Sequence, residues 1–243
     1  MKKAIGYVYV IAAAVCWGFL GLFNRVLTAA GVSLLNMMPL RFGGTAILFT
    51  VFCMMFKQQV FHIKLRHLPI FLGSGLISML LALCGCALVS GIVGSDVGIS
   101  LEGLLMGLAS ELCYGGYTIF THYGMRYCDS FTMAYWTFLI AGIASLFLAD
   151  GPALLSALAE PRTGLAALGL MVMGTALPFT LYTKGLETVE SGKAAIIANI
   201  EPVMSAVIGV TVFQETLGLW TLVGIVLVLS GVVVLACEKE PDK

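Results

Sequence analysis

Eight long apolar runs occupy most of this 243-residue chain. Each run has about 18 or more residues and few charges, which is the length that an α-helix needs to cross a membrane. Hydrophobic residues make up 60% of the chain, charged residues make up 11%, and the mean hydropathy of +1.02 is far from that of a soluble domain. We therefore predict an all-α membrane protein, a polytopic bundle of about eight transmembrane helices. The predicted spans are Gly6–Phe23, Leu34–Phe56, Leu68–Val93, Ile99–Phe120, Phe131–Ala149, Gly164–Tyr182, Ala194–Phe213 and Leu217–Cys237.

Basic residues outside the spans lie mostly in alternate connectors. With the N-terminus inside, ten of them fall on the cytoplasmic side, whereas only Arg25 and Arg162 fall outside. The positive-inside rule therefore predicts a multi-pass protein of the cell membrane with both termini cytoplasmic. Lys2, Lys3 and the apolar run after them resemble a signal peptide, but the run is long and more spans follow. We expect this run to be kept as the first span.

Short matches relate the two halves of the chain. Cys16-Trp17-Gly18 matches Cys113-Tyr114-Gly115 at an offset of 97, and Leu72-Gly73 matches Leu168-Gly169 at an offset of 96. Beyond Leu83 the offset becomes 146, so the first half lacks about 50 residues that the second half has. We predict two inverted repeats, residues 1–93 with three spans and residues 94–243 with five.

Several of these residues carry a resemblance to a known family. Trp17-Gly18 in the first span, Arg41 in the second, Pro202 with Glu215 in and after the seventh, and Gly224 to Gly231 in the last resemble the drug/metabolite transporter superfamily and its EamA-like members. The resemblance implies two five-helix inverted repeats, the first of them incomplete here. In that family a Pro-containing helix of each repeat lines the central cavity, and its first-repeat copy is absent from this chain.

The resemblance leaves two functions open. One is a secondary-active permease of small metabolites such as amino acids, with export as the expected direction. The other is a non-transporting deletion variant that acts as a structural or interaction protein in the membrane. Arg41, Glu111 and Glu201 lie within predicted spans, where charges are expensive, and this favours the transporter.

Small residues and one carboxylate share a face of the seventh span. Residues 194, 198, 201, 205 and 209 are spaced as on a helix, and they are Ala, Ala, Glu, Ser and Gly. Glu201 is expected roughly 12 Å into the bilayer, at about 1.5 Å per residue. It is therefore a candidate for a substrate or ion path, or else a protonated, hydrogen-bonded group in a packed helix. Pro202 should bend this helix.

Arg41 is expected about seven residues, or roughly 10 Å, below the outer end of the second span. Gly44 and Thr45 share its face, which predicts that it looks inward. There it could hold a carboxylate of a metabolite or pair with a glutamate. The alternative is a side chain that extends to the outer interface.

Four further residues complete the set of candidates. Glu111 is predicted near mid-membrane, one turn before Tyr114, which is the repeat-mate of Trp17. Glu111 is a candidate for proton coupling, or for a neutral group that ties helices together. Trp17 and Tyr114 could form an amphipathic wall for a small solute, although packing is the simpler role for each. Asn199 could supply an amide, but it should point about 200° around the helix from Glu201.

Other classes of chemistry find no support in the sequence. Ser74, in a Gly-Ser-Gly run, has no histidine in a later span to activate it, and no phosphate-cradling loop is present. The seven cysteines show no zinc spacing, and we expect no metal or cofactor. The protein is thus not expected to be an enzyme. The expected partners are a small metabolite and the lipid bilayer, with no nucleic acid. A homodimer is left open, because it could cover the surface that the absent helix leaves.

Overall fold

The computed structural model describes residues 2–61, 63, 67–89 and 101–237, and this part of the chain is helical and contains no strands. Apolar runs of this length fold as helices because a membrane interior contains no water that could bond the backbone. Each backbone N–H and C=O group must therefore form its hydrogen bond within its own segment. In chain order the helices are α1 (Lys2–Gly18), α2 (Leu20–Ala29), α3 (Leu34–Met38), α4 (Gly44–Phe56), α5 (Leu68–Val89), α6 (Leu101–Gly124), α7 (Ser130–Ser145), α8 (Gly151–Leu158), α9 (Pro161–Met171), α10 (Leu177–Gly185), α11 (Ser191–Ala198), α12 (Ile200–Phe213) and α13 (Leu219–Cys237).

Helices lie at all eight predicted spans, which confirms the polytopic bundle. Within the described residues, five helices are long and apolar enough to cross a membrane, and two shorter apolar helices accompany them. The five are Ala4–Ala29, Leu35–Phe56, Ser130–Leu148, Pro161–Gly185 and Ser191–Phe213, and the two are Leu68–Leu80 and Thr221–Val233.

One helix was not predicted. α8 has only eight residues, so a search for runs of membrane-spanning length cannot find it. It begins where Asp150 accepts a hydrogen bond from the Ala153 N–H at 3.2 Å, which caps the helix. The Asp150 N–H in turn donates to Asn36 Oδ1 at 2.7 Å, and this bond anchors α8 to α3.

The connectors divide the bundle into two ends. The near end carries the connectors at residues 57–67, 125–129 and 186–190, and the far end carries those at 30–33, 149–160 and 214–218. At the near end, Lys57 Nζ and Asp129 Oδ2 are 3.4 Å apart. Lys184 Nζ and Glu187 Oε2, also at the near end, are 2.7 Å apart.

The core is a cluster of aromatic rings at the centre of the bundle. The buried Phe138 ring lies 4.9 Å from Phe179 and 6.1 Å from Phe42, measured between ring centroids. α1 packs closely on α10, where Gly185 faces Val10. The rings therefore bring together helices from both halves of the chain.

Two spans are broken at mid-length. The first span is interrupted at Phe19, between α1 and α2, and the seventh at Asn199, between α11 and α12. Pro202 lacks an N–H, so it cannot bond the carbonyl of Ala198, and the Asn199 N–H instead makes a tighter bond to Ile196 O at 3.2 Å. The helix that carries Pro202 is thus interrupted three residues ahead of the proline, and the bend expected there stays a prediction.

Candidate substrate site

Arg41 lies in a π-helical segment, Pro39–Gly43, between α3 and α4. Its Nε donates a hydrogen bond to Thr175 Oγ1 at 3.2 Å. The guanidinium carbon is 5.5 Å from the centroid of the Phe42 ring and 5.9 Å from that of Phe179, within the range of cation–π attraction. The structure therefore places this cation between the second and sixth spans, beside the aromatic core.

Thr175 belongs to a second π segment, Val172–Ala176, and the two π segments meet. Thr45 Oγ1 donates to Met171 O at 3.2 Å across this contact, and Thr175 Oγ1 donates to Leu170 O at 2.9 Å. Gly44 allows the close approach, since a Cβ there would lie 2.6 Å from Met171 Cε. π segments interrupt the regular helical bonding and are frequent at functional sites. Here they hold Arg41 in one orientation.

Trp17 lies near the middle of the first span with its side chain buried. Its ring centroid is 5.0 Å from that of Phe179, 5.3 Å from Tyr182 and 6.4 Å from Tyr114. Among the described residues its Nε1–H has no hydrogen-bond partner. A buried donor without a partner carries a desolvation penalty, so this N–H is available to a ligand or a water molecule.

Tyr114, the repeat-mate of Trp17, presents a second donor of this kind. Its hydroxyl is buried near Tyr182, yet within the described part of the chain it makes no hydrogen bond of standard geometry. The Tyr182 hydroxyl is instead within 3.2 Å of Thr118 Oγ1. The structure thus brings Trp17 and Tyr114 together with two polar atoms that packing alone leaves unsatisfied.

Glu201 lies in the first turn of α12 and is half-buried. It is close enough to Tyr114 for an electrostatic interaction between the two side chains. The N-terminus of a helix also favours a negative charge at this position. Glu201 therefore approaches the site from the seventh span.

Two other predicted residues stand apart from this group. Asn199 is exposed and its Nδ2 donates to Ala195 O at 3.2 Å, so its amide is bound to its own helix. Pro202 is exposed as well. The side chain of Glu111 lies outside the described residues.

Thr175, Phe179 and Tyr182 also belong to the site and were not predicted. Thr175 bonds Arg41, and the rings of Phe179 and Tyr182 lie against Trp17. Their spacing of four and three places them on one helical face, a signal that was available in the sequence. The sequence analysis also considered Ser74 as a nucleophile. It is buried, and its Oγ lies 2.7 Å from Thr137 Oγ1, a bond that ties α5 to α7.

The far end beyond the site is held by an ion pair. Arg25, in α2, pairs with Glu215 in the turn between α12 and α13, and its guanidinium carbon lies 4.4 Å from the Phe213 ring centroid. Gln214 adopts a left-handed conformation with a φ of 55°, which ends α12 and directs Glu215 back toward Gly209. Glu215 thus lies four residues ahead of Leu219, where α13 begins.

Comparison with known protein families gives one match. The model of the EamA-like transporter family matches residues 101–237, which is more than half of the chain. The matched region includes Tyr114, Thr175 and Glu201 and ends with α13.

Several known proteins are similar to this chain, and three of them illustrate the range. An uncharacterized transporter of Archaeoglobus fulgidus is 41% identical over 68 residues, which are 28% of this chain and 25% of that protein. The uncharacterized transporter YwfM of Bacillus subtilis is 27% identical over 170 residues, 69% of this chain and 56% of YwfM. The multidrug resistance protein EbrB of Bacillus atrophaeus is 32% identical over 87 residues, 35% of this chain and 74% of EbrB. The match to YwfM thus spans little more than half of that transporter's length.

Proposed function

Because the chain belongs to the EamA-like transporter family, we propose that it is a secondary-active exporter of small metabolites that carry a carboxylate, amino acids among them. It is a multi-pass membrane protein with five long apolar helices in its described part. Permeation of such solutes requires a site inside the bundle that replaces their hydration. The cluster around Arg41 meets this requirement.

The orientation of Arg41 is the observation that carries the proposal. A guanidinium offers N–H donors in a planar fork, and the bond from Nε to Thr175 at 3.2 Å places that fork beside the Phe42 and Phe179 rings. A carboxylate accepts two parallel bonds from such a fork. The unsatisfied Trp17 Nε1–H and Tyr114 hydroxyl would then bond other polar atoms of the solute, and the rings would contact its apolar part.

Glu201 is the proposed coupling group, with Glu111 as a second candidate on sequence grounds. Glu201 lies beside Tyr114, so its proton would affect the hydrogen-bonding environment of the solute. An ion gradient or an exchange reaction would then drive transport. We further propose that the near end is cytoplasmic, because Lys57, Arg126 and Lys184 lie there.

Transport by the purified chain in liposomes tests the proposal. We expect uptake of labelled amino acids from a mixed pool, driven by a proton or sodium gradient, above that of empty liposomes. Arg41→Gln should lower the flux by about tenfold or more, because a charge-assisted bond to the solute is lost. Glu201→Gln should keep substrate binding and abolish the response to the gradient.

Arg162→Gln is the matched control, since Arg162 is exposed at the far end in the first turn of α9. It should transport as the unmodified chain does. Equal flux from Arg41→Gln and the unmodified chain would contradict the proposed role of Arg41.

A second candidate function is a membrane protein that does not transport by itself. The observation that favours it is the change of repeat offset from 96 to 146 beyond Leu83, which leaves the first half about 50 residues shorter than the second. A homodimer could then supply the missing part of the path. Absence of flux for every solute, from folded and reconstituted protein, would support this candidate over the first.

A further inference from the structure

A cavity of about 650 Å³ lies at the near end of the bundle. Its walls come from the connector between α4 and α5 and from the connector between α6 and α7. Lys57, at this cavity, is sixteen residues from Arg41 in the chain, or roughly 24 Å along a helix. The cavity is therefore separate from the site around Arg41.

The lining described for this cavity has an excess of positive charge. Lys57 and Arg126 contribute two cations, Asp129 contributes one carboxylate, and His67 adds an imidazole. Lys57 is neutralised in part by Asp129, whose Oδ2 is 3.4 Å from the ammonium nitrogen. Arg126 lies against the Tyr123 ring, with its guanidinium carbon 5.3 Å from the ring centroid, and has no carboxylate within 4.0 Å among the described residues. The planar guanidinium fork of Arg126 is suited to binding an anion.

Apolar groups form the rest of the lining. Val60, Ile63 and Phe71 supply side chains without charge. His67 lies against Tyr127 with their ring centroids 4.5 Å apart and their planes tilted by 36°, so imidazole and phenol groups line this part of the cavity. A lining with cations on one part and apolar groups on another suits an anion attached to a carbon skeleton.

The level of the cavity in the membrane is also informative. It lies where α4 ends at Phe56, α5 begins at Leu68, α6 ends at Gly124 and α7 begins at Ser130. The ends of apolar spans lie at the level of the polar headgroups of a bilayer. An anionic headgroup at this level could reach Arg126 and Lys57 without entering the hydrocarbon layer.

We propose that this near-end cavity binds a phosphate group, with Arg126 as its principal ligand and Lys57 as a supporting donor. The phosphate belongs either to an acidic phospholipid or to a soluble molecule. Phosphate oxygens match the planar donors of arginine, and a bidentate contact adds geometric specificity to the charge attraction. The site is independent of the proposed transport function, because none of its residues contacts Arg41, Trp17 or Tyr114.

Binding by the full purified chain in detergent distinguishes the two sources. Phosphatidylglycerol and phosphatidylcholine with identical acyl chains are titrated separately and counted by native mass spectrometry. Inorganic phosphate is titrated against chloride at equal ionic strength, and binding is followed by thermal unfolding. We expect preferential binding of phosphatidylglycerol if the source is a lipid, or stabilisation by inorganic phosphate if it is soluble.

Three variants connect that binding to the cavity. Arg126→Gln should weaken it about tenfold or more. Asp129→Asn removes the described carboxylate of the cavity and should tighten binding several-fold, a change that a misfolded protein could not produce. Lys184→Gln, which removes a cation of the near end outside the cavity lining, should leave binding unchanged.

Two results would overturn the proposal. One is the absence of any preference for phosphatidylglycerol and of any response to inorganic phosphate. The other is an equal loss of binding in Arg126→Gln and Lys184→Gln, which would indicate a general surface charge effect.

Discussion

Arg25 and Glu215 form an ion pair although 190 residues separate them in the chain. The pair joins α2, the far-end half of the first span, to the turn that follows α12, the far-end half of the seventh. Both spans are broken just before these halves, at Phe19 and Asn199. The ion pair therefore connects two helical segments that each follow a break.

Removing this ion pair should have a small effect on stability. Both side chains are about half exposed, at 51% and 46%, and exposed pairs contribute about 1 kcal/mol or less. We expect Glu215→Gln to lower the free energy of unfolding by no more than this, and high salt to remove the difference. Thermal unfolding at low and high salt measures both effects, and Glu187→Gln, which breaks the Lys184 pair at the other end, is the control.

Gly18→Ala should destabilise the protein by about 1–3 kcal/mol, the usual cost of overpacking. A Cβ at Gly18 would lie 2.4 Å from Met204 Cβ, so α1 and α12 would have to separate. Gly224→Ala is the matched control, because a Cβ there meets nothing within 4 Å. That control should be neutral or slightly stabilising, as alanine is a better helix former. Equal destabilisation by both substitutions in a thermal unfolding assay would show that Gly18 is not a close-packing position.

Tyr114→Phe should raise the free energy of unfolding by about 1 kcal/mol, because it removes a buried hydroxyl that makes no hydrogen bond of standard geometry to the described residues. Tyr182→Phe should lower it by about 1 kcal/mol, since the Tyr182 hydroxyl is bonded to Thr118. The two substitutions are expected to change the free energy of unfolding in opposite directions, so each is the control for the other in chemical denaturation. If the Tyr114 hydroxyl bonds the solute, the same Tyr114→Phe variant should also bind the solute more weakly. Destabilisation by Tyr114→Phe would show that this hydroxyl has a partner in the folded protein.

Asp129 should make stability depend on pH in the acid range. Burial alone would raise the pKa of this carboxyl, but the hydrogen bond from Thr132 and the nearby Lys57 ammonium lower the pKa below its ordinary value of 3.8. The folded state thus holds the proton less tightly than the unfolded chain, so the stabilisation is complete above that ordinary value. It is lost as the pH falls from 3.8 through the lower pKa of the folded protein. Unfolding midpoints of the unmodified chain and Asp129→Asn should converge in that range, and a constant difference between them would contradict the assignment.

The number and place of the spans could be predicted because they depend on length and composition alone. A run such as Leu34–Phe56 has no stable alternative to a helix in lipid. Pro202 likewise predicted a disturbance of its helix, because a proline lacks the N–H that a continuous helix needs. The contact of Trp17 with Tyr114 agrees with the match between the two halves, since both residues occupy equivalent places in the predicted repeats. The repeat boundaries themselves stay a prediction.

Other features depend on contacts between distant parts of the chain, and local sequence does not encode them. The π segments arise where Thr45 and Thr175 bond carbonyl groups near the meeting point of two spans, which no local pattern reveals. The pairing of Glu215 with Arg25 depends on the left-handed Gln214, which ends α12 and turns Glu215 back toward Gly209. α8 was not predicted because it is shorter than a membrane-spanning run. It is stabilised instead by hydrogen bonds of Asp150, one of them to Asn36.

The direction in which Arg41 points depends on the number of residues in the π segment Pro39–Gly43. A bond from residue i to i−5, such as that of the Gly44 N–H to Pro39 O, accommodates one residue more than the regular helical bond. Deletion of a single residue in this segment would restore a regular helix and rotate everything before it by about 100° relative to α4. Related chains that differ by a one-residue gap here would share the arginine in an alignment yet present it to a different neighbour. For this family, residue identity at this position is therefore meaningful only together with the local count of residues.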